Sequence, residues 1–144
     1  MNLSQLQYRL IKITESPDFH NLEPFCAEFE NARLVDFDKF VKFSTESYTS
    51  NTLCRTEKFE IRLLCWKPFQ ETPRHLHPEN GCLMKILKGR LIEEKFVDKG
   101  TVRTVYQEGE VGYIVSRESH ILKNPQMDSV SLHIYAPSGF YDLV

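Results

Sequence analysis

From residue 58 onward the apolar residues of this chain recur at every second position, in short runs separated by turn residues. Phe59, Ile61, Leu63 and Cys65 alternate with Glu60, Arg62, Leu64 and Trp66, so an extended segment places the two sets on opposite faces of a sheet. The run ends at the Pro68 to Pro73 turn. Leu83 to Leu87 and Leu91 to Phe96 follow as further strands, with Lys88-Gly89-Arg90 predicted as a tight hairpin between them. Asp98-Lys99-Gly100 and Glu108-Gly109 mark later turns, and Asn124-Pro125 precedes a last long strand. Short strands punctuated this regularly predict an all-β barrel or sandwich.

The first 45 residues follow a helical period. Ser4 and Gln7 fit a capping box ahead of an apolar stripe of Leu6, Leu10 and Ile13. After a break over Asp18 to Pro24, Asn21 or Glu23 starts a second helix with Leu22, Phe25, Cys26 and Phe29 on one face. Asp36 is placed to cap a third around Phe37, Phe40 and Val41. These two to three helices are expected to pack outside the barrel. At 144 residues, without repeat or linker, the chain is expected to be one domain, helical over 1–45 and barrel over 46–144.

Charge and cysteine usage narrow the function classes. With 18 basic and 20 acidic residues the net charge is −2, which gives no reason to expect nucleic acid or an anionic membrane as partner. No apolar run approaches transmembrane length, and Met1-Asn2-Leu3-Ser4-Gln5 lacks the segments of a secretory signal, so a cytoplasmic monomer is expected. Four cysteines without a Cys-x-x-Cys spacing predict no structural disulfide; Cys26 and Cys65 are expected to be small buried residues.

Chemistry concentrates between Pro73 and Gly89. If His75-Leu76-His77 is extended, both imidazoles point to one face and Leu76 to the other, delivering two nitrogen ligands together. Imidazole suits iron, copper, nickel and zinc, so the pair names no metal. His120, after a glycine-marked turn and a short apolar strand, is the candidate third ligand. Arg74 should point away from the histidines, and Glu79 reads as a solvated loop charge. In Val130-Ser131-Leu132-His133-Ile134-Tyr135, three polar groups share one strand face, a costly arrangement in a barrel unless they bond to one another or to a ligand.

The His-x-His with Cys82 and Gly89 after it, and His120 followed four residues on by Asn124, resembles the two motifs of the cupins, which are small double-sheet jelly-roll barrels. Most cupins carry a glutamate ligand where this chain has Cys82. Three histidines with cysteine at that place, together with the Ser131-His133-Tyr135 line, resemble the cysteine dioxygenase family of thiol dioxygenases. The resemblance implies a mainly β cupin with mononuclear non-haem Fe(2+) held by His75, His77 and His120. It further implies oxidation of a small thiol by O2 to the sulfinic acid, with Tyr135, His133, Ser131 and Cys82 as catalytic-site residues and a Cys82–Tyr135 thioether as a possibility of the family. The alternative is a non-catalytic or sensor cupin binding a metal or small ligand, in which Cys82 is a small buried residue.

Two departures bear on substrate. The family's carboxylate-binding arginine, in a Tyr-x-Arg-Asn segment, corresponds to Ser50 within Tyr48-Thr49-Ser50-Asn51. Either another cation such as Arg55, Arg62, Arg74 or Arg103 takes over, or the thiol carries a different group, or cysteine is a poor substrate. The sequence also stops at Val144, soon after Pro137, so a closing C-terminal segment is expected to be absent.

Overall fold

The structure, a computed structural model, describes residues 1–139. Helix α1 (Leu3–Glu15) is followed by a 3-10 turn at Glu23–Phe25 that runs into α2 (Cys26–Asn31). Eight strands follow: β1 (Thr49–Arg55), β2 (Glu60–Trp66), β3 (Cys82–Lys88), β4 (Arg90–Val97), β5 (Gly100–Gln107), β6 (Val111–Ile114), β7 (Ser119–Lys123) and β8 (Ser129–Tyr135). They form two antiparallel sheets, ordered β1-β2-β8-β3-β6 and β5-β4-β7. The mainly β, double-sheet architecture is the one expected. Among the described residues, no helix is long and apolar enough to cross a membrane.

Period-two burial explains the layering. Ile61, Leu63, Cys65, Val130, Leu132 and Ile134 form one core with Leu6, Leu10, Leu22, Phe25 and Phe29, so the helices cover the outer face of the five-stranded sheet. Leu64, Trp66, Cys82, Met84 and Ile86 on its inner face meet Leu91 and Leu122 of the other sheet in a second core. Leu6 and Leu10 are fully buried, worth about 2 kcal/mol each. Lys85 secures the end of α2 by donating to the carbonyls of Phe29, Glu30 and Ala32 at 2.8, 2.9 and 2.6 Å, as cations near helix C-termini do.

Several local expectations are corrected. The capping box of α1 is Asn2 with Gln5, two residues earlier than Ser4 with Gln7; the Asn2 side chain accepts from the Gln5 amide and the Gln5 side chain from the Asn2 amide. The third helix shrinks to a 3-10 turn at Asp38–Phe40, because Asp36 has φ 66 and cannot take the extended backbone of a helix cap. Cys26 is half-buried, whereas Cys65 is buried, and all four cysteines are free. The expectation about the chain after Pro137 falls largely on residues 140–144, outside the described ones.

The largest correction concerns Gly89. β3 and β4 do not pair as a hairpin; they belong to different sheets, and Gly89 is the corner where the chain crosses between them. Its φ is 75, and a Cβ there would press on Ser129 Oγ and lie 2.8 Å from the Asp128 carbonyl, so the corner admits no side chain. Double-sheet jelly-roll barrels need such corners wherever the chain passes from one sheet to the other, as it does from β3 to β4.

Candidate metal centre

His75-Leu76-His77 is not a full strand. It is joined to β7 by a single bridge between His75 and His120, with backbone bonds of 3.1 Å in both directions. The alternation nevertheless holds: both rings turn to His120, with ring centroids 4.5 and 4.3 Å from it. Nε2 of His120 lies 2.9 Å from Nε2 of His77 and 3.0 Å from Nε2 of His75.

The other ring nitrogens decide the tautomers. Each Nδ1 faces an acceptor: the Pro73 carbonyl for His75 at 2.8 Å, the Glu118 carbonyl for His77 at 3.2 Å, and Glu93 Oε2 for His120 at 2.7 Å. The Nδ1 atoms therefore carry the hydrogens, and three Nε2 lone pairs converge. Burial first, then the neighbouring imidazoles, lowers the pKa of His77 and His120 to about 2, and burial lowers that of His75. Neutral donors facing one another at hydrogen-bond distance repel unless a cation sits among them. The donor set fits one metal ion.

Glu93, which the sequence reading passed over, is the partner that orients His120. It stands on β4 facing inward, 1% exposed, and also accepts from Tyr106 Oη at 3.4 Å. The signal was an acid beside Leu91 and Ile92 in an otherwise buried stretch of strand. Carboxylates placed behind a ligating histidine fix its ring and raise its basicity.

The second constellation lies on β8. Ser131, His133 and Tyr135 share the inner face as their spacing predicts, and Trp66, also unforeseen, begins their chain. Trp66 Nε1 donates to Ser131 Oγ at 3.0 Å, Ser131 Oγ and His133 Nε2 are 2.7 Å apart, and His133 Nδ1 lies 3.4 Å from Tyr135 Oη. Indole only donates, so the Ser131 hydroxyl has His133 Nε2 as acceptor, which places the His133 hydrogen on Nδ1, aimed at the Tyr135 oxygen. Burial pushes His133 well below, and Tyr135 well above, their ordinary pKa values, so both are neutral. Tyr135 keeps its own O–H to give.

Cys82 is directly opposite Tyr135 in the β3–β8 register and 1% exposed. Opposed side chains have Cβ atoms about 4.5–5.5 Å apart. Burial raises the Cys82 thiol well above its usual pKa. The structure thus brings His75, His77 and His120 together in one cluster and Ser131, His133, Tyr135 and Cys82 in another. Asn124 is not among them; its Nδ2 holds the turn before β8 through the Trp66 and Met127 carbonyls at 3.1 and 2.7 Å.

Comparison with known proteins agrees with this geometry. The model of the family described as cysteine dioxygenase type I matches residues 14–141. The chain belongs to that family. Curated members of the cysteine dioxygenase type I family include "Cysteine dioxygenase type 1" of Danio rerio, 32% identical over 115 residues, covering 71% of this chain and 57% of the relative. The Homo sapiens protein of the same name is 31% identical over 115 residues, with 72% and 58% covered. The chain thus spans a little over half the length of the curated relatives it matches.

Solved structures share the fold. An uncharacterized conserved protein with a double-stranded β-helix domain from Klebsiella pneumoniae subsp. pneumoniae MGH 78578 aligns with a TM-score of 0.68 at 16% identity, over 79% of this chain and 93% of that one. An RmlC-like cupin from Desulfovibrio desulfuricans aligns at 0.58 and 22% identity, over 74% and 97%. These likenesses establish the cupin fold alone.

Within the cysteine dioxygenase type I family, the departure at Ser50 has a visible structural counterpart. Ser50 is exposed on β1, and Arg62 Nη1 donates to its hydroxyl at 3.1 Å. Arg74 is turned away from the histidines, as expected, with Nε on Ser119 Oγ at 2.8 Å and its guanidinium 4.0 Å over the Phe96 ring. Glu79 is exposed.

Proposed function

We propose that this protein is a mononuclear non-haem iron(II) thiol dioxygenase that converts a small thiol and O2 to the sulfinic acid, acting as a cytoplasmic monomer. Membership of the cysteine dioxygenase type I family supports the reaction class. The observation that carries the reading is that the bonded line Trp66–Ser131–His133–Tyr135 ends opposite Cys82, in the same barrel interior as three convergent imidazoles.

In the balanced reaction, RSH plus O2 gives RSO2H: sulfur gives up four electrons and the two oxygens of O2 take them. Iron(II), when bound by His75, His77 and His120, supplies the redox chemistry that ground-state dioxygen requires and favours the thiolate form of the substrate. Three neutral ligands leave its double positive charge intact. Glu93 fixes the His120 ring. His133, aligned by Ser131 and Trp66, holds the Tyr135 oxygen, so the phenol presents its O–H to the reacting group in a fixed orientation. Burial raises the Tyr135 pKa well above its ordinary value, which favours the protonated phenol. A thioether to Cys82 would hold the same phenol more rigidly still.

The test is oxygen uptake by anaerobically iron(II)-loaded protein with L-cysteine, 3-mercaptopropionate and cysteamine, with products weighed. Uptake matched by a product heavier by two oxygen atoms is expected, and its loss together with iron in His77→Ala and His120→Ala. Bound iron without uptake for any thiol would leave the non-catalytic cupin as the better reading.

A further inference from the structure

Behind the metal centre, the three-stranded sheet carries a bonded line of its own. On β4, Leu91 lies opposite Tyr106 of β5, and Glu93 and Lys95 lie opposite Leu122 and His120 of β7. Opposed residues share a face, so Leu91, Glu93, Tyr106 and His120 all belong to the inner one. Glu93 and Tyr106 are diagonal neighbours there, a separation that an aromatic side chain spans. The two Glu93 oxygens are divided between two donors: Oε2 lies 2.7 Å from His120 Nδ1, and Oε1 accepts from Tyr106 Oη at 3.4 Å.

Tyr106 reaches Glu93 by lying over a gap in the opposite sheet. Gly112 of β6 is paired with Met84 of β3, which belongs to the core between the sheets, and Tyr106 packs against that same core. A Cβ at Gly112 would lie 2.8 Å from Cζ and from Oη of Tyr106 and 2.9 Å from Cε1, closer than carbon atoms approach without something shifting. The missing side chain is therefore the seat of the phenol ring. Any larger residue at 112 would push the hydroxyl off its line to Glu93.

We propose that Tyr106 is a positioning residue of the metal centre: seated on Gly112, its hydroxyl holds Glu93 Oε1, so that Oε2 stays on His120 and Nε2 of His120 stays turned toward His75 and His77. The inference rests on the metal-centre part of the thiol dioxygenase reading. A carboxylate held through one oxygen can pivot about that contact, because its last torsion is broad. A donor on the second oxygen removes the freedom, and the groups behind a ligating imidazole are what hold its orientation. Distance ranks the two contacts. The one to His120 is short, whereas 3.4 Å is longer than the usual O–H···O range, so Tyr106 steers Glu93 more than it binds it and its effect is the smaller. Burial raises the Tyr106 pKa, and the charge of Glu93 adds to the shift, so the phenol keeps the hydrogen it donates.

The experiment uses Co(II) as the probe. Its affinity for the metal-free protein is read by competition with a chelating indicator, and its visible ligand-field bands report how the imidazoles are arranged around it. Y106F removes one oxygen and keeps the ring; it is expected to weaken Co(II) binding about three- to tenfold, less than the loss of Glu93 itself, and to shift the bands. G112A displaces the hydroxyl without removing it and should shift them in the same way. In an E93L background, where Tyr106 has no carboxylate to hold, Y106F should change the affinity by less than about twofold. A tyrosine that only filled space would cost the same in both backgrounds. Wild-type affinity and bands in Y106F and G112A, or an equal loss with and without Glu93, would overturn the assignment to Tyr106 while leaving the metal centre standing. Failure of the wild-type protein to bind Co(II) would instead overturn the metal-centre reading itself.

Discussion

Glu93 accepts the Nδ1 hydrogen of His120 at 2.7 Å, where both side chains are 1% exposed. Burial lowers the His120 pKa to about 2, so the contact is a neutral imidazole donating to an acid and not an ion pair. Its role is to turn Nε2 toward the other two histidines. Glu93→Ala should weaken metal affinity about 10- to 100-fold, and Glu93→Gln, whose amide oxygen still accepts, should do less. Competition with a chelating indicator measures both; an unchanged affinity in Glu93→Ala would leave Glu93 a packing residue.

In the proposed reaction Tyr135 gives its hydrogen to the reacting group and does not hold the metal. Tyr135→Phe should retain metal at the wild-type level and lower kcat about 100-fold. Trp66→Phe, which removes the indole donor to Ser131 along with part of the buried ring stacked on Tyr48, should lower kcat about tenfold by loosening the line that ends at Tyr135. Metal content and steady-state kinetics on the same preparations separate these effects from loss of the centre.

Gly89 tests the crossing between sheets. Gly89→Ala should destabilise the fold by about 3 kcal/mol or more, since it combines a left-handed backbone with a clash against Ser129 and Asp128. Urea unfolding measures it. A change under about 1 kcal/mol, the scale of an ordinary surface substitution or less, would mean that the corner yields.

His133 makes stability depend on pH in a definite direction. Burial holds its folded pKa well below the ordinary value of about 6.5. Above that value neither folded nor unfolded protein binds the proton, and His133 contributes nothing to the pH slope. Below it the unfolded chain takes up a proton that the folded protein refuses, so stability falls as pH falls. His133→Gln should therefore flatten the stability–pH curve below about pH 5.5 by roughly 1.4 kcal/mol per pH unit. Urea midpoints of metal-free protein at several pH values provide the check; parallel curves for the two proteins would contradict it.

What the sequence determined by itself was whatever repeats along the chain. The period of two set the faces of β2 and β8. His75-Leu76-His77 and Ser131-His133-Tyr135 delivered their side chains together because alternation is a property of neighbouring residues. Even there, the cap of α1 and the fate of the third helix were misjudged, since Asn2 competes with Ser4 as a cap and the left-handed backbone of Asp36 is not written in its identity.

Tertiary structure decided everything that joins residues far apart in the chain. Whether the segment after Gly89 returned beside β3 or crossed to the other sheet was open locally, and the crossing is what set Glu93 behind His120. The registers of β1, β2 and β8 likewise brought Arg62 to Ser50 and Trp66 to Ser131. A strand's own sequence fixes which side chains share a face; which strand it lies beside, and in what register, is settled only when both cores are packed at once.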